Sequence, residues 1–164
     1  MRYFLYFFIL LSIFACSSEP KAPPLDQNKI VTEALKQNLK TGKLVTGWYF
    51  VRDTATDFER YHAGMQRSMH IDPKPILTKA NIAHVESYQN DNGQLGLSLR
   101  FGESGAKAWA DGTLLAVDKL VACIIDDSLY MAPRVNEQIT GGMSAITGNF
   151  TKEDLKALKK RLLE

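Results

Sequence analysis

Hydrophobic and polar positions along the chain fall into blocks of two different periods. Ile30, Val31, Ala34, Leu35 and Leu39 recur at helical spacing and predict a helix over about 27–40, with Asp26 placed to cap it and Gly42 to end it. Its other face, Lys29, Glu33, Lys36, Gln37 and Lys40, reads as solvated. Val45–Asp53 is β-branched and aromatic and predicts a strand. Residues 54–64 read as a loop and Gln66–Ile71 as a short partner strand. Asp72-Pro73-Lys74-Pro75 should end that strand, because proline cannot donate to a ladder.

Beyond this point the period of two takes over. Ile82–Gln89 and Leu95–Phe101 flank Asn90-Asp91-Asn92-Gly93, a hairpin turn, and Leu95, Leu97, Leu99 and Phe101 alternate with Gly96, Ser98 and Arg100. Residues 104–115 return to helical spacing, with Ala106, Trp109, Ala110, Leu114 and, just beyond, Val117 turned inward and Gly112 a weak point. Leu120–Asp126 is almost wholly apolar, as a central strand covered on both faces would be. Asp127-Ser128 turn the chain into Leu129–Ala132, and Ser144–Thr147 is a short strand. The last segment opens on Thr151-Lys152-Glu153-Asp154, close to a capping box, and buries Leu155, Leu158, Leu162 and Leu163. One mainly antiparallel sheet with the helices on one face would bury these stripes together: an α+β two-layer sandwich, preceded by an N-terminal helix.

Composition changes the picture mainly at the N-terminus. The 164 residues carry Lys+Arg 20 against Asp+Glu 18, a net charge of +2 that excludes a strongly basic nucleic-acid binder, and two cysteines exclude a disulfide scaffold. The first 15 residues hold only Arg2 among the charged side chains yet six of the fourteen Phe and Tyr. Residues 3–14 are apolar apart from Ser12, and as a helix would span about 18 Å, short of a ~30 Å hydrocarbon core. The run ends in Ile13-Phe14-Ala15-Cys16 and resembles a bacterial lipobox. That resemblance implies a signal peptide over 1–15, acylation of Cys16 and a lipid-anchored protein of the cell envelope. Ser17 leans toward the outer membrane facing the periplasm by the sorting rule of enteric bacteria. Residues 16–28 then read as a Pro-rich tether, 29–75 as the N-terminal helix and lead-in strands, and 76–164 as the main domain.

The main domain carries a family resemblance. Ile76-Leu77-Thr78, Leu95–Phe101 and Ser104-Gly105-Ala106 look like the "LTG…VSFTL…EGA" run of SecD. Leu120–Asp126 with Ala132-Pro133 is similar to its "LAIVLDG…SAP", and Ile139-Thr140-Gly141-Gly142 with Ile146-Thr147-Gly148-Asn149-Phe150-Thr151 to its "ITGG…ISGNFT". Together they resemble the head subdomain of the first periplasmic domain of the SecD/SecDF export factor. The resemblance implies a ferredoxin-like α+β head that, in SecD, contacts polypeptide on the periplasmic side, here in a stand-alone lipoprotein version. The family's "DG" turn is Asp126-Asp127 in this chain, and Met143 stands where the family often carries a polar or basic residue.

Candidate chemistry is sparse. Gly141-Gly142 and Gly148-Asn149 permit positive-φ turns around a short strand, and Thr140, Gly141, Gly142, Gly148, Asn149 and Phe150 mark a candidate peptide-binding edge that would work by strand addition. No Lys follows Gly148, which disfavours a phosphate loop, and Ser104 and Ser144 lack a GxSxG frame. His62, His70 and His84 have no metal-ligand spacing, and Cys123 sits in the most apolar strand. The motifs therefore point to a non-enzymatic protein with no cofactor or metal, and the two resemblances imply its partners: a lipid bilayer through Cys16, and secreted or unfolded polypeptides or translocon components. A structural or inhibitory lipoprotein, or an envelope enzyme, are the alternatives.

Overall fold

Trp48 and Phe50 alternate with Tyr49 and Val51, and Val121, Cys123 and Ile125 alternate with Ala122 and Ile124. Two strands with two apolar faces each require a core on both sides, and this shapes the molecule. The computed structural model describes residues 25–164. Its elements are α1 (Gln27–Thr41), β1 (Gly47–Arg52), β2 (Glu59–His62), β3 (Arg67–Thr78), β4 (Ile82–Gln89), β5 (Leu95–Phe101), α2 (Glu103–Leu115), β6 (Val121–Ile125), β7 (Ser128–Met131), β8 (Met143–Thr147) and α3 (Lys152–Leu163).

The α+β class and the N-terminal helix are as expected, and every ladder between these strands is antiparallel. The single ferredoxin-like sheet is not what forms. The strands divide into a five-stranded sheet, β2-β3-β1-β6-β7, and a three-stranded sheet, β4-β5-β8. One core lies between the sheets: Trp48, Val121, Cys123 and Ile125 meet Val85, Leu97, Leu99, Phe101 and Ile146, with Trp109 of α2 and Leu155, Leu158 and Leu162 of α3. The second core fills the concave side of the five-stranded sheet with Leu44, Tyr49, Phe58, Met69, Ile71, Ala122, Ile124 and Ala132. That sheet curls until its edge strands meet, giving a nearly closed barrel. There Arg60 on β2 forms an ion pair with Asp127 and donates from Nε to the Asp127 carbonyl at 2.9 Å.

Several local expectations are corrected. Part of the 54–64 loop is strand β2, and β3 runs straight through Asp72-Pro73-Lys74-Pro75. The prolines fit because β2 pairs only with Arg67–His70, while the β1 register slips between Tyr49↔Pro75 and Val51↔Ile71. α1 packs beside that stretch, and its buried stripe is Val31, Ala34 and Asn38 rather than one ending in Leu39, which is exposed. Asn38 donates to the Pro73 carbonyl at 2.8 Å and to Tyr49 Oη, and its Oδ1 accepts from the Val45 N–H at 2.9 Å. Burial pushes the Tyr49 phenol well above its ordinary pKa. In α2, Leu114 is exposed, while Gly112 is a contact: a Cβ there would lie 2.3 Å from Ile76 Cγ2. Leu163 at the end of α3 is exposed too.

Caps fall where the pattern put them. Asp26 accepts from the Lys29 N–H, and Gly42 closes α1 at φ 68°. Thr151 and Asp154 form a reciprocal capping box on α3, whose hydrogen bonds from the Thr151 backbone and then its hydroxyl hold the Asp154 carboxyl below its ordinary pKa.

Candidate functional site

The Gly-rich signature builds an edge. Thr140 and Gly141 are exposed in the loop leading to β8. Gly142 takes φ 62°, and a Cβ on it would come within 2.7 Å of the Ala106 Cβ, so only glycine lets the chain pass α2 at this point. The Phe101 N–H donates to the Gly142 carbonyl at 2.9 Å, which fixes the phase of the β5–β8 ladder, Leu99↔Ser144 and Leu97↔Ile146. After β8 the expected positive-φ turn at Gly148-Asn149 does not form, since neither residue has positive φ. Gly148 is instead where a Cβ would press on the Phe150 ring at 3.1 Å, and Phe150 packs half-buried on the core. Asn149 is exposed.

Because backbone polar groups alternate along a strand, Ser144 and Ile146 point their N–H and C=O groups at β5, and Met143, Ala145 and Thr147 point theirs away. Trp109 Nε1 donates to the Met143 carbonyl at 2.9 Å, as that phase requires. Ala145 and Thr147 have no partner on their outward side among the described residues. Proteins ordinarily blunt such edges with charge, proline or a bulge. The other edge of this sheet, β4, does so: it carries exposed His84 and Glu86 and a register shift between Ile82 and His84. β8, MSAIT, has none of these devices.

Alongside that edge runs a groove of about 570 Å³. Its floor is Trp48, Trp109, Val121 and Cys123, with Met131 beside them, and its far bank is the 133–139 loop. The bank is held by the Val121 N–H on the Pro133 carbonyl at 3.0 Å and the Val135 N–H on the Lys119 carbonyl at 2.9 Å. Ile139 and Met143, two of the exposed large apolar side chains, stand on the rim. Trp48, Phe101 and Trp109 pack edge to face, with centroids 5.1 to 6.2 Å apart, which ties the floor into the core between the sheets. Burial pushes the Cys123 thiol up to about 12, which makes it an inert part of that floor. A larger cavity, about 850 Å³, lies between α1 and the Asp126-Asp127 turn. There, however, the carboxylates are already committed: Asp127 to the Leu44 N–H and Arg60, Asp126 to Thr46 and Arg161.

The structure thus gathers Gly142 and β8 at one site and leaves Asn149 and Phe150 at the root of α3. Trp109 and Cys123, which the sequence reads as inward-facing, form the groove's floor together with Trp48. The histidines are not brought together: His62 accepts from the Met65 N–H, His70 from the Thr56 N–H, and His84 pairs with Glu86. Cys16 lies outside the described residues. Among the described residues no helix is long and apolar enough to cross a membrane.

Comparison with known proteins gives one consistent answer. Residues 55–163 match the family model of the SecDF P1 head subdomain. The chain is 26% identical over 142 residues to the protein translocase subunit SecD of Rhodobacter capsulatus, covering 87% of this chain and 21% of that protein. It is 30% identical over 135 residues to the SecD of Rickettsia conorii, covering 82% and 24%. The chain therefore spans about a fifth to a quarter of the length of these relatives. A solved structure of "a membrane component SecDF that enhances protein export" superposes with a TM-score of 0.60 at 22% identity, over 87% of this chain and 70% of that one.

Proposed function

The chain belongs to the SecDF P1 head subdomain family, and from that premise we propose that it binds extended polypeptide by adding a strand to β8. The observation that carries this reading is the unpaired, uncharged edge of β8 beside an apolar groove, in a sheet whose other edge is defended. Extended segments of proteins emerging from the export machinery are the natural ligands, and translocon components are the neighbours that family membership suggests. Binding needs no cofactor and no covalent step, so the protein acts as a non-enzymatic accessory. The lipobox-like Ile13-Phe14-Ala15-Cys16 supports anchoring through acylated Cys16, with the domain on the periplasmic face of the envelope, held at the outer membrane by the Ser17 criterion.

Ala145→Pro tests the reading. It removes the outward N–H at the centre of the edge while sparing the β5 ladder, since Ala145 does not donate to β5. Binding of an unfolded secretory polypeptide, followed by the Thr147 amide resonance in both proteins and by the Ala145 amide in the wild type, should be lost in the variant while the fold is retained. Equal binding by both proteins, or binding that moves other amides only, would sink strand addition at β8. A protein that binds no unfolded chain but holds one folded partner would favour a structural or inhibitory role.

A further inference from the structure

Resting on that reading, we infer that Trp109 limits the β8 edge to a segment with a single apolar anchor: one inward side chain between two backbone-paired residues. The outward groups of β8 belong to Met143, Ala145 and Thr147, and the Met143 carbonyl is already taken by the Trp109 indole at 2.9 Å. Trp109 is itself buried, wedged against Trp48 and Phe101, so the indole cannot swing aside without opening the core. The Gly142 carbonyl, one residue earlier, is committed to β5. An incoming antiparallel strand is therefore left with the pairs opposite Ala145 and Thr147.

Directly opposed residues in a ladder share a face. The ligand residues facing Ala145 and Thr147 point their side chains outward with those two, which are exposed. The ligand residue between them points inward with Ile146, which is buried against the Trp48 and Cys123 side of the core. A second inward position, opposite Ser144, falls where the indole closes the edge. Arg134 and Glu137 on the far bank balance in charge, so the groove selects an apolar anchor and not a charged peptide. The substrate class is accordingly any extended stretch with one aliphatic residue flanked by non-proline positions, a motif common enough for a general polypeptide binder.

The experiment compares two capped serine/threonine peptides, one with a single isoleucine and one with two spaced two residues apart, on the wild type and on Trp109→Phe. The variant keeps an aromatic ring and loses the N–H. With the wild type, the second isoleucine should tighten binding less than about two-fold. With Trp109→Phe it should tighten binding about ten-fold, as burial of one more aliphatic side chain allows. An equal gain in both proteins overturns the single-anchor rule while leaving strand addition intact. If neither peptide moves the Ala145 and Thr147 amides, the reading of β8 itself falls, and the rule with it. A second readout needs no variant. In the wild-type complex the Trp109 indole N–H should keep its chemical shift and its slow exchange, and a peptide that accelerates that exchange displaces the indole and refutes the stop.

Discussion

The two sheets share one core and treat their edges in opposite ways. The five-stranded sheet curls until β2 and β7 meet, and Arg60 and Asp127 fasten the seam. The three-stranded sheet stays open, defending β4 with charge and a bulge and leaving β8 bare except where Trp109 covers it. Closure has a cost: Asp126 and Asp127 both sit at positive φ, 47° and 66°, where side chains other than glycine lose about 1–2 kcal/mol each. Their carboxylates offset it by holding the Leu44 N–H, Thr46, Arg60 and Arg161. The difference leaves the outward groups of Ala145 and Thr147 as the edge that no backbone covers among the described residues.

The largest expected effect breaks the closed side. Asn38→Ala removes one donor and one acceptor from a buried site and strands the Val45 N–H and the Pro73 carbonyl. It should cost about 3 kcal/mol in urea unfolding with an unchanged slope, as loss of two buried backbone partners predicts. A cost below about 1 kcal/mol would mean that water replaces Asn38 and that this side chain does not fasten α1 to β3. Arg60→Ala comes next. Its partner Asp127 is only partly exposed, so the loss should be about 2 kcal/mol, between a surface and a buried pair. Hydrogen exchange should quicken in β2 and β7 and stay unchanged in β5 and β8. Quickening of all four strands alike would show that the two sheets open as one unit.

Much of this was legible in the sequence, for physical reasons that also explain the rest. The bounds of β4 and β5 are found residue for residue, because the alternation of Leu95, Leu97, Leu99 and Phe101 and the Asn90–Gly93 turn are local signals; the slip between Ile82 and His84 is not one of them. The caps at Asp26, Gly42 and Thr151 were legible because capping is local chemistry. The partition into two sheets was not. Val121–Ile125 reads as a strand covered on both faces, but periodicity does not say which neighbours cover it. Helix phase failed where a polar residue did apolar work: Asn38 is buried because three groups satisfy it, and Leu39 is pushed outward. The candidate site was half legible. Gly142 and the short strand after it announce an edge, while the groove needs Trp48, Trp109 and Cys123 brought together from three elements.

The smallest effect concerns the open side, where α3 packs over β4 and β5 and is held at its start by the capping box. The Asp154 carboxyl lies below its ordinary pKa because the Thr151 N–H and hydroxyl bond to its ionised form. A depressed folded value means that the unfolded chain binds the proton first as acid is added. The carboxylate's contribution is thus complete above the ordinary aspartate value of about 4, and it fades as pH falls through the lower folded value. Exchange of the amides in the first turn of α3 should therefore gain protection between strong acid and about pH 4 beyond the intrinsic trend, then level off. Asp154→Asn should abolish that dependence and leave the closed sheet's amides unmoved. An undiminished pH step in the variant would place its origin outside the cap.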